Sequence, residues 1–86
     1  MYKIVLLPEA EKSYRRLFYY NKEAFKRVDA ALETLKAEPF LGKPLKNKLK
    51  GKYSLRVGVY RIIYSIEKQV LIIYILDIGH RREIYR

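Results

Sequence analysis

The residues best suited to chemistry lie between positions 53 and 64, where arginines and tyrosines alternate with apolar side chains. Arg56 and Arg61 fall in the middle of two predicted strands that meet at Gly58. An arginine is always charged, so in mid-strand it must reach water, a carboxylate or a phosphate. The stretch therefore predicts an anion-binding site; the alternative is a pair of surface arginines whose stems pack on the sheet.

The residue types in the chain narrow the reactions it can carry out. There is no cysteine and one histidine, His80, and neither a metal-ligand set nor the paired acids of a glycosidase is recognisable. Arginine, lysine and tyrosine suit cleavage of RNA by attack of its own 2′-hydroxyl, a reaction that needs no metal, cofactor or protein nucleophile. Arginines hold the phosphate and neutralise the pentacoordinate state, and tyrosine stacks on a base.

General acid–base catalysis is harder for these side chains, because arginine barely titrates and ordinary tyrosines and lysines titrate near pH ~10. Such an enzyme should be a poor nuclease on free RNA. We therefore predict that another molecule pre-organises its substrate.

The positive charge is concentrated in the second half of the chain. The formal net charge is +10; residues 1–42 contribute +2 and residues 43–86 contribute +8. This asymmetry predicts a surface that binds polyanions, with nucleic acid as the first candidate. An anionic membrane and a purely solubilising charge are the alternatives.

Four lysines in this half are predicted to contact RNA phosphates: Lys46, Lys48, Lys50 and Lys52. Residues 45–50 place a lysine at every second position, with Leu45, Asn47 and Leu49 between them, which predicts a short extended segment before Gly51. A lysine-rich short strand also discourages edge-to-edge pairing of sheets, a role compatible with phosphate contact.

The hydrophobic pattern predicts one α+β domain over residues 1–86. The expected order is β-α-α-β-β-β-β, an N-terminal helical hairpin packed on a twisted, mainly antiparallel sheet. The predicted elements are a strand over residues 2–7, a helix from Pro8, a helix over residues 22–37 capped by Asn21, the extended segment 45–50, the two strands within residues 53–66, and a strand over residues 70–76.

No apolar run is long enough to span a bilayer, and the N-terminus lacks the pattern of a signal peptide. We therefore expect a soluble cytoplasmic protein with no membrane partner.

Three pieces of the sequence together resemble the RelE/ParE toxin superfamily. They are Lys43-Pro44-Leu45-Lys46 with Leu49-Lys50-Gly51, the stretch from Tyr53 to Tyr64, and Ile78-Gly79-His80-Arg81-Arg82-Glu83-Ile84-Tyr85. The resemblance covers nearly the whole chain and implies a small α+β toxin encoded beside an antitoxin. RelE-like members enter the ribosomal A site and cleave mRNA there, so the resemblance implies the ribosome, mRNA and a cognate antitoxin as partners, a hetero-oligomer with that antitoxin, and no cofactor.

The resemblance also implies roles for individual residues. By position, Arg61 matches the arginine that contacts the scissile phosphate, and Arg81 matches one proposed to stabilise or protonate the leaving group. Tyr85 matches a C-terminal tyrosine that stacks on or orients the substrate, and Arg56 falls where RelE has a basic residue. Arg82 is assigned to RNA contact, with solvated charge as its alternative.

This chain departs from the RelE pattern at the general base. Ser54 stands where RelE has a lysine proposed to act in base chemistry, and the glutamate of YoeB-like relatives is absent. Lys46, Lys48 and His80 are the candidate substitutes; for His80 the alternative is a hydrogen-bonding residue at a strand end.

Two other functions fit the same resemblance. One is a ParE-like toxin that inhibits DNA gyrase without cleaving nucleic acid, and the other is an inactive relative that only binds nucleic acid or its antitoxin. For Tyr85 itself, the alternative to a role in substrate contact is an aromatic anchor that holds the tail to the sheet.

Overall fold

The computed structural model describes residues 1–80, in which two helices pack on one face of a five-stranded sheet. The elements are β1 (Lys3–Leu6), α1 (Pro8–Tyr20), α2 (Lys22–Ala37), β2 (Lys43–Pro44), β3 (Lys52–Val57), β4 (Tyr60–Glu67) and β5 (Ile72–His80). The strand order is β1-β5-β4-β3-β2; β1 runs parallel to β5 and the other neighbours are antiparallel. The predicted α+β class and element order are confirmed.

The helices begin where the sequence predicted. Pro8 occupies the first turn of α1, where its missing N–H costs no hydrogen bond. The Asn21 side chain caps α2 by accepting from the backbone N–H of Ala24 at 3.2 Å. The Tyr14 hydroxyl of α1 donates to the Asp29 carboxylate of α2 at 2.6 Å and links the two helices. Within residues 1–80, neither helix is long and apolar enough to cross a membrane.

The core lies between the helical hairpin and the facing side of the sheet. Its fully buried side chains are Ala10, Val28, Leu35, Ile62, Tyr64, Ile73, Ile75 and Ile78. The apolar side chains of β3 and, apart from Ile63, those of β4 face this layer, as their alternation predicted. The opposite side, here called the outer face, carries Lys43, Lys52, Ser54, Arg56, Arg61, Ile63, Ser65 and Asp77.

A tight hairpin joins β3 and β4 and fixes their register. Val57 pairs with Tyr60, so only Gly58 and Val59 form the turn. Gly58 adopts a φ of 63°, a conformation that glycine tolerates well. The two strands therefore meet through Gly58, as predicted.

A β-bulge in β5 changes which of its residues face the core. Ile63 pairs with Asp77 and Tyr64 with Ile75, so Leu76 is an extra residue in the ladder. The bulge turns Asp77 to the outer face and Ile78 to the core. The predicted end of this strand near residue 76 was wrong, since β5 continues to His80.

The predicted extended segment over residues 45–50 was also wrong. The strand in this region is β2, and residues 47–49 form one turn of 3₁₀ helix, with Asn47 at a φ of 59°. Leu45 and Leu49 are four residues apart, a spacing that suits a helical turn as well as it suits a strand. Pro44 is tolerated in β2 because this strand is an edge of the sheet.

Candidate nucleic-acid interface

Arg56 of β3 and Arg61 of β4 are direct partners across the ladder, on the outer face. Side chains in such positions have Cβ atoms roughly 5 Å apart, and like charges there are destabilising. Two arginines at opposed positions therefore favour anionic ligands on this part of the outer face. The structure brings these two predicted residues together.

The two arginine side chains lean in opposite directions along the strands. Arg56 is exposed, and its Nε donates to the carbonyl oxygen of Gly58, at the turn, at 3.3 Å. Arg61 is half-buried, and its Nη1 lies 3.5 Å from the Ser54 hydroxyl oxygen, toward the other end of β3. This divergence reduces their repulsion and spreads positive charge along the strands, an arrangement that suits an extended anion such as a nucleic-acid backbone.

Lys43 lies on the same face, although the sequence pattern did not predict it as a site residue. It is the direct partner of Ser54 across the β2–β3 ladder, so both side chains belong to the outer face. Ser54 is only 4% exposed, whereas Lys43 is exposed. A strand of two residues is too short to show an alternation of polar and apolar side chains. The only local sequence signal for this pairing was that Lys43 belongs to the Lys43-Pro44-Leu45-Lys46 motif.

A buried tyrosine holds the segment that leads into β2. The Tyr64 hydroxyl donates to the carbonyl oxygen of Pro39 at 2.8 Å and accepts from the N–H of Gly42 at 2.9 Å. Burial raises the pKa of this phenol, which keeps it protonated as a donor. A Cβ on Gly42 would lie 2.6 Å from the Tyr64 hydroxyl oxygen and 2.9 Å from the Ser54 carbonyl oxygen. Only glycine therefore fits against this contact without displacement.

The predicted lysines surround the same edge of the sheet. Lys46, Lys48 and Lys50 are exposed in the connection between β2 and β3, and Lys52 is half-buried at the start of β3, on the outer face. The N–H of Leu45 donates to the carbonyl oxygen of Lys52 at 2.9 Å, which closes the connection at its base. Their contact with RNA or the ribosome stays a prediction.

His80, one of the candidate bases, lies on the other side of the sheet. It pairs with Tyr60, and the two rings meet edge to face at 5.9 Å. With Ser13 and Arg16 of α1, these residues line a small pocket on the helical side. His80 and Arg61 therefore lie on opposite faces, which removes His80 from the arginine site.

Three predicted site residues, Arg81, Arg82 and Tyr85, lie outside the described residues. Their roles remain those that the sequence resemblance implies.

The salt bridges among residues 1–80 lie within the helices. They join Arg15 to Glu11, Arg27 to Glu23, and Lys36 to Glu33. Lys43 and Arg56 form no ion pair with a carboxylate in this part of the chain. The carboxylates of the helices therefore neutralise helical cations and leave the outer face of the sheet positive.

A family model described as the ParE toxin of the type II toxin–antitoxin system parDE matches residues 4–85. The chain belongs to the RelE/ParE family of type II toxin–antitoxin toxins. Toxin RelG of Mycobacterium tuberculosis is 42% identical to it over 60 residues, which are 69% of each chain.

Solved structures agree with this family. In the RelBE2 toxin–antitoxin complex of Mycobacterium tuberculosis, one chain matches this toxin with a TM-score of 0.80 and 30% identity, over 93% of this chain and 98% of that one. The YoeB/ParE toxin from Agrobacterium tumefaciens gives a TM-score of 0.83 at 18% identity, over 91% and 96% of the two chains, and shows the shared fold alone.

Proposed function

We propose that this RelE/ParE family toxin is a ribosome-dependent endonuclease that cleaves mRNA in the A site and thereby inhibits translation. The observation that carries the proposal is the opposed pair Arg56 and Arg61 on the outer face. Their like charges favour an anionic ligand, and guanidinium groups suit phosphate through charge-assisted hydrogen bonds. The similarity to Toxin RelG supports a toxin function for this chain.

In this reaction the RNA supplies its own nucleophile. The 2′-hydroxyl loses its proton to solvent and its oxygen attacks the adjacent phosphorus; the bond to the 5′-oxygen breaks and that oxygen takes up a proton, so the products are a 2′,3′-cyclic phosphate and a 5′-hydroxyl. Arg61 holds the scissile phosphate and neutralises the pentacoordinate state, while Arg56 binds the backbone beside it. Arg81 stabilises or protonates the leaving oxygen, and Tyr85 stacks on or orients the base.

The ribosome supplies the alignment of the RNA that this side-chain set lacks. Holding the reactants in an attack geometry lowers the barrier by itself, so less of it is left for strong acids and bases to lower. The lysines between β2 and β3, with Lys52 and Arg82, would then bind ribosomal RNA or mRNA phosphates and position the toxin.

A cognate antitoxin is the proposed second partner. An acidic or amphipathic segment that folds on binding would cover the surface of Arg56, Arg61 and Arg81 or displace the tail at Tyr85. The RelBE2 toxin–antitoxin complex, in which one chain matches this toxin, supports this partner and a hetero-oligomer with it.

Gyrase inhibition is the second candidate function, because the matching family model is that of the ParE toxin. In that case the outer face would be a protein-binding surface, and no RNA would be cut. Toxins with either activity share this fold, so the fold does not distinguish the two functions.

The deciding experiment is primer extension on an mRNA translated in a reconstituted bacterial system. Wild-type toxin should produce cuts in frame with the codons, only when ribosomes are present, and the cognate antitoxin should abolish them. Arg61→Ala should lower the single-turnover rate by about 100-fold or more, since it removes a donor to the transition state; Tyr85→Ala should also lower it. The matched control is Arg15→Ala, which removes an exposed helical arginine.

Toxicity without cuts would contradict the nuclease function and lead to a gyrase supercoiling assay. If neither cuts nor toxicity were observed, only a binding function would remain.

A further inference from the structure

Lys43 is fixed beside the arginine pair by contacts that extend into the core. The Tyr64 hydroxyl binds the N–H of Gly42 at 2.9 Å, and Gly42 immediately precedes Lys43. The next ladder contact places Lys43 opposite Ser54. These contacts fix the backbone of Lys43 and so the point from which its flexible stem extends over the outer face.

The arginine that leans toward Lys43 is the one proposed to hold the scissile phosphate. Arg61 Nη1 lies 3.5 Å from the Ser54 hydroxyl oxygen, and Ser54 is the neighbour of Lys43 across the ladder. Ser54 has a small side chain, so it does not hold long side chains from the two neighbouring strands apart. Lys43 on β2 pairs with this position of β3 and Arg61 on β4 contacts it, so the two cations approach Ser54 from either side.

The charges around Lys43 also favour an anion there. Its row across the sheet contains Ser54, Ile63 and, at the far end on β5, Asp77. Asp77 is three strands away, and adjacent strands are about 4.8 Å apart. Among residues 1–80, no carboxylate lies within salt-bridge distance of Lys43.

We propose that Lys43 is a further catalytic residue of this toxin, whose ammonium binds a non-bridging oxygen of the phosphate that Arg61 also contacts. This rests on the proposed nuclease function. Lys43 acts as a point charge, while Arg61 supplies directed donors. The pentacoordinate state carries more negative charge than the ground state, so two cations on one phosphate stabilise it more strongly.

The absence of cysteine in the chain allows a direct test of this charge. A Lys43→Cys variant carries a single thiol, and alkylation with 2-bromoethylamine converts it to an ammonium side chain of nearly the length of lysine. Alkylation with iodoacetamide gives a neutral side chain of similar size and serves as the matched control. Lys12→Ala, at an exposed position on α1, controls for the loss of one positive charge elsewhere.

The measurement is the single-turnover rate of mRNA cleavage at saturating programmed ribosomes. We expect Lys43→Cys to lower this rate at least about tenfold, 2-bromoethylamine to restore most of it, and iodoacetamide to restore none. Lys12→Ala should cleave like wild type. A Lys43→Cys variant with the wild-type rate, or recovery after both reagents or after neither, would overturn the role of Lys43 while leaving the nuclease intact. A wild-type toxin that makes no ribosome-dependent cuts would overturn both proposals.

Discussion

At the scale of single residues, Tyr64 connects the core to the proposed site. Its ring is fully buried and stacks on Tyr53, with ring centroids 5.4 Å apart. Its hydroxyl satisfies one donor and one acceptor of the chain between α2 and β2. A buried polar group left without a partner costs more than the hydrogen bond itself contributed. The phenol is therefore both a core side chain and the anchor of β2.

We predict that Tyr64→Phe lowers the free energy of unfolding by about 1–3 kcal/mol, because the Gly42 N–H and the Pro39 carbonyl lose their partner. Chemical denaturation followed by circular dichroism measures this change. Tyr53→Phe is the matched control: its hydroxyl makes no hydrogen bond within residues 1–80, so the cost should stay within about 0.5 kcal/mol. Equal costs for the two variants would show that the Tyr64 hydroxyl does not anchor this segment.

At the scale of elements, the helical hairpin supports the sheet from the side opposite the arginines. α1 and α2 bury their apolar stripes against β4 and β5, and a side-chain hydrogen bond between Tyr14 and Asp29 links them. Burial, together with the Asp29 carboxylate, raises the pKa of Tyr14 to about 12. Folding therefore favours the protonated phenol over the phenolate.

This raised pKa makes the stability of the hairpin depend on pH. The Tyr14 contribution is fully present below the unfolded pKa of about 10 and is lost as the pH rises through the folded pKa of about 12. Tyr14→Phe should therefore lose less stability than wild type across that interval, as measured by urea denaturation at a series of pH values. Tyr20→Phe removes an exposed phenol of the same helix and leaves the Tyr14–Asp29 contact in place. A wild-type pH dependence in Tyr14→Phe would contradict the assignment.

At the scale of the whole molecule, the two layers differ in charge balance. The salt bridges found among residues 1–80 lie in the helices, while the sheet and the connection between β2 and β3 carry most of the excess positive charge. Binding of a polyanion to such a surface releases counterions and so weakens as salt rises. The charge asymmetry along the sequence thus becomes an asymmetry between two sides of the fold.

We predict that the double variant Lys46→Gln and Lys48→Gln binds RNA with a shallower salt dependence. The slope of log K against log salt concentration is negative. Its magnitude should decrease by about 0.7 for each single-strand phosphate that the variant no longer neutralises. Fluorescence anisotropy with a labelled single-stranded RNA at several salt concentrations gives this slope. The control pair Lys12→Gln and Lys26→Gln removes the same charge from exposed helical positions. An equal change in both pairs would mean that net charge alone, not the lysines near β2, sets the affinity.

The sequence by itself determined what depends on neighbours along the chain. Helix starts follow from Pro8 and from the Asn21 cap, and the β3–β4 hairpin follows from Gly58 and the alternation around it. That alternation also placed Arg56 and Arg61 on one face, since side chains on a strand point to alternate sides. These features need only a few consecutive residues, so a local pattern is enough to predict them.

Only the tertiary structure decided what depends on contacts between distant parts of the chain. Lys43 meets Ser54 because Tyr64 and Gly42 fix the entry into a two-residue strand, and His80 faces the helices because of the bulge at Leu76. A single extra residue in one strand moves every later side chain to the other face. Such events leave little trace in hydrophobic periodicity, which is why the sequence predicted Arg56 and Arg61 of the proposed site but not Lys43.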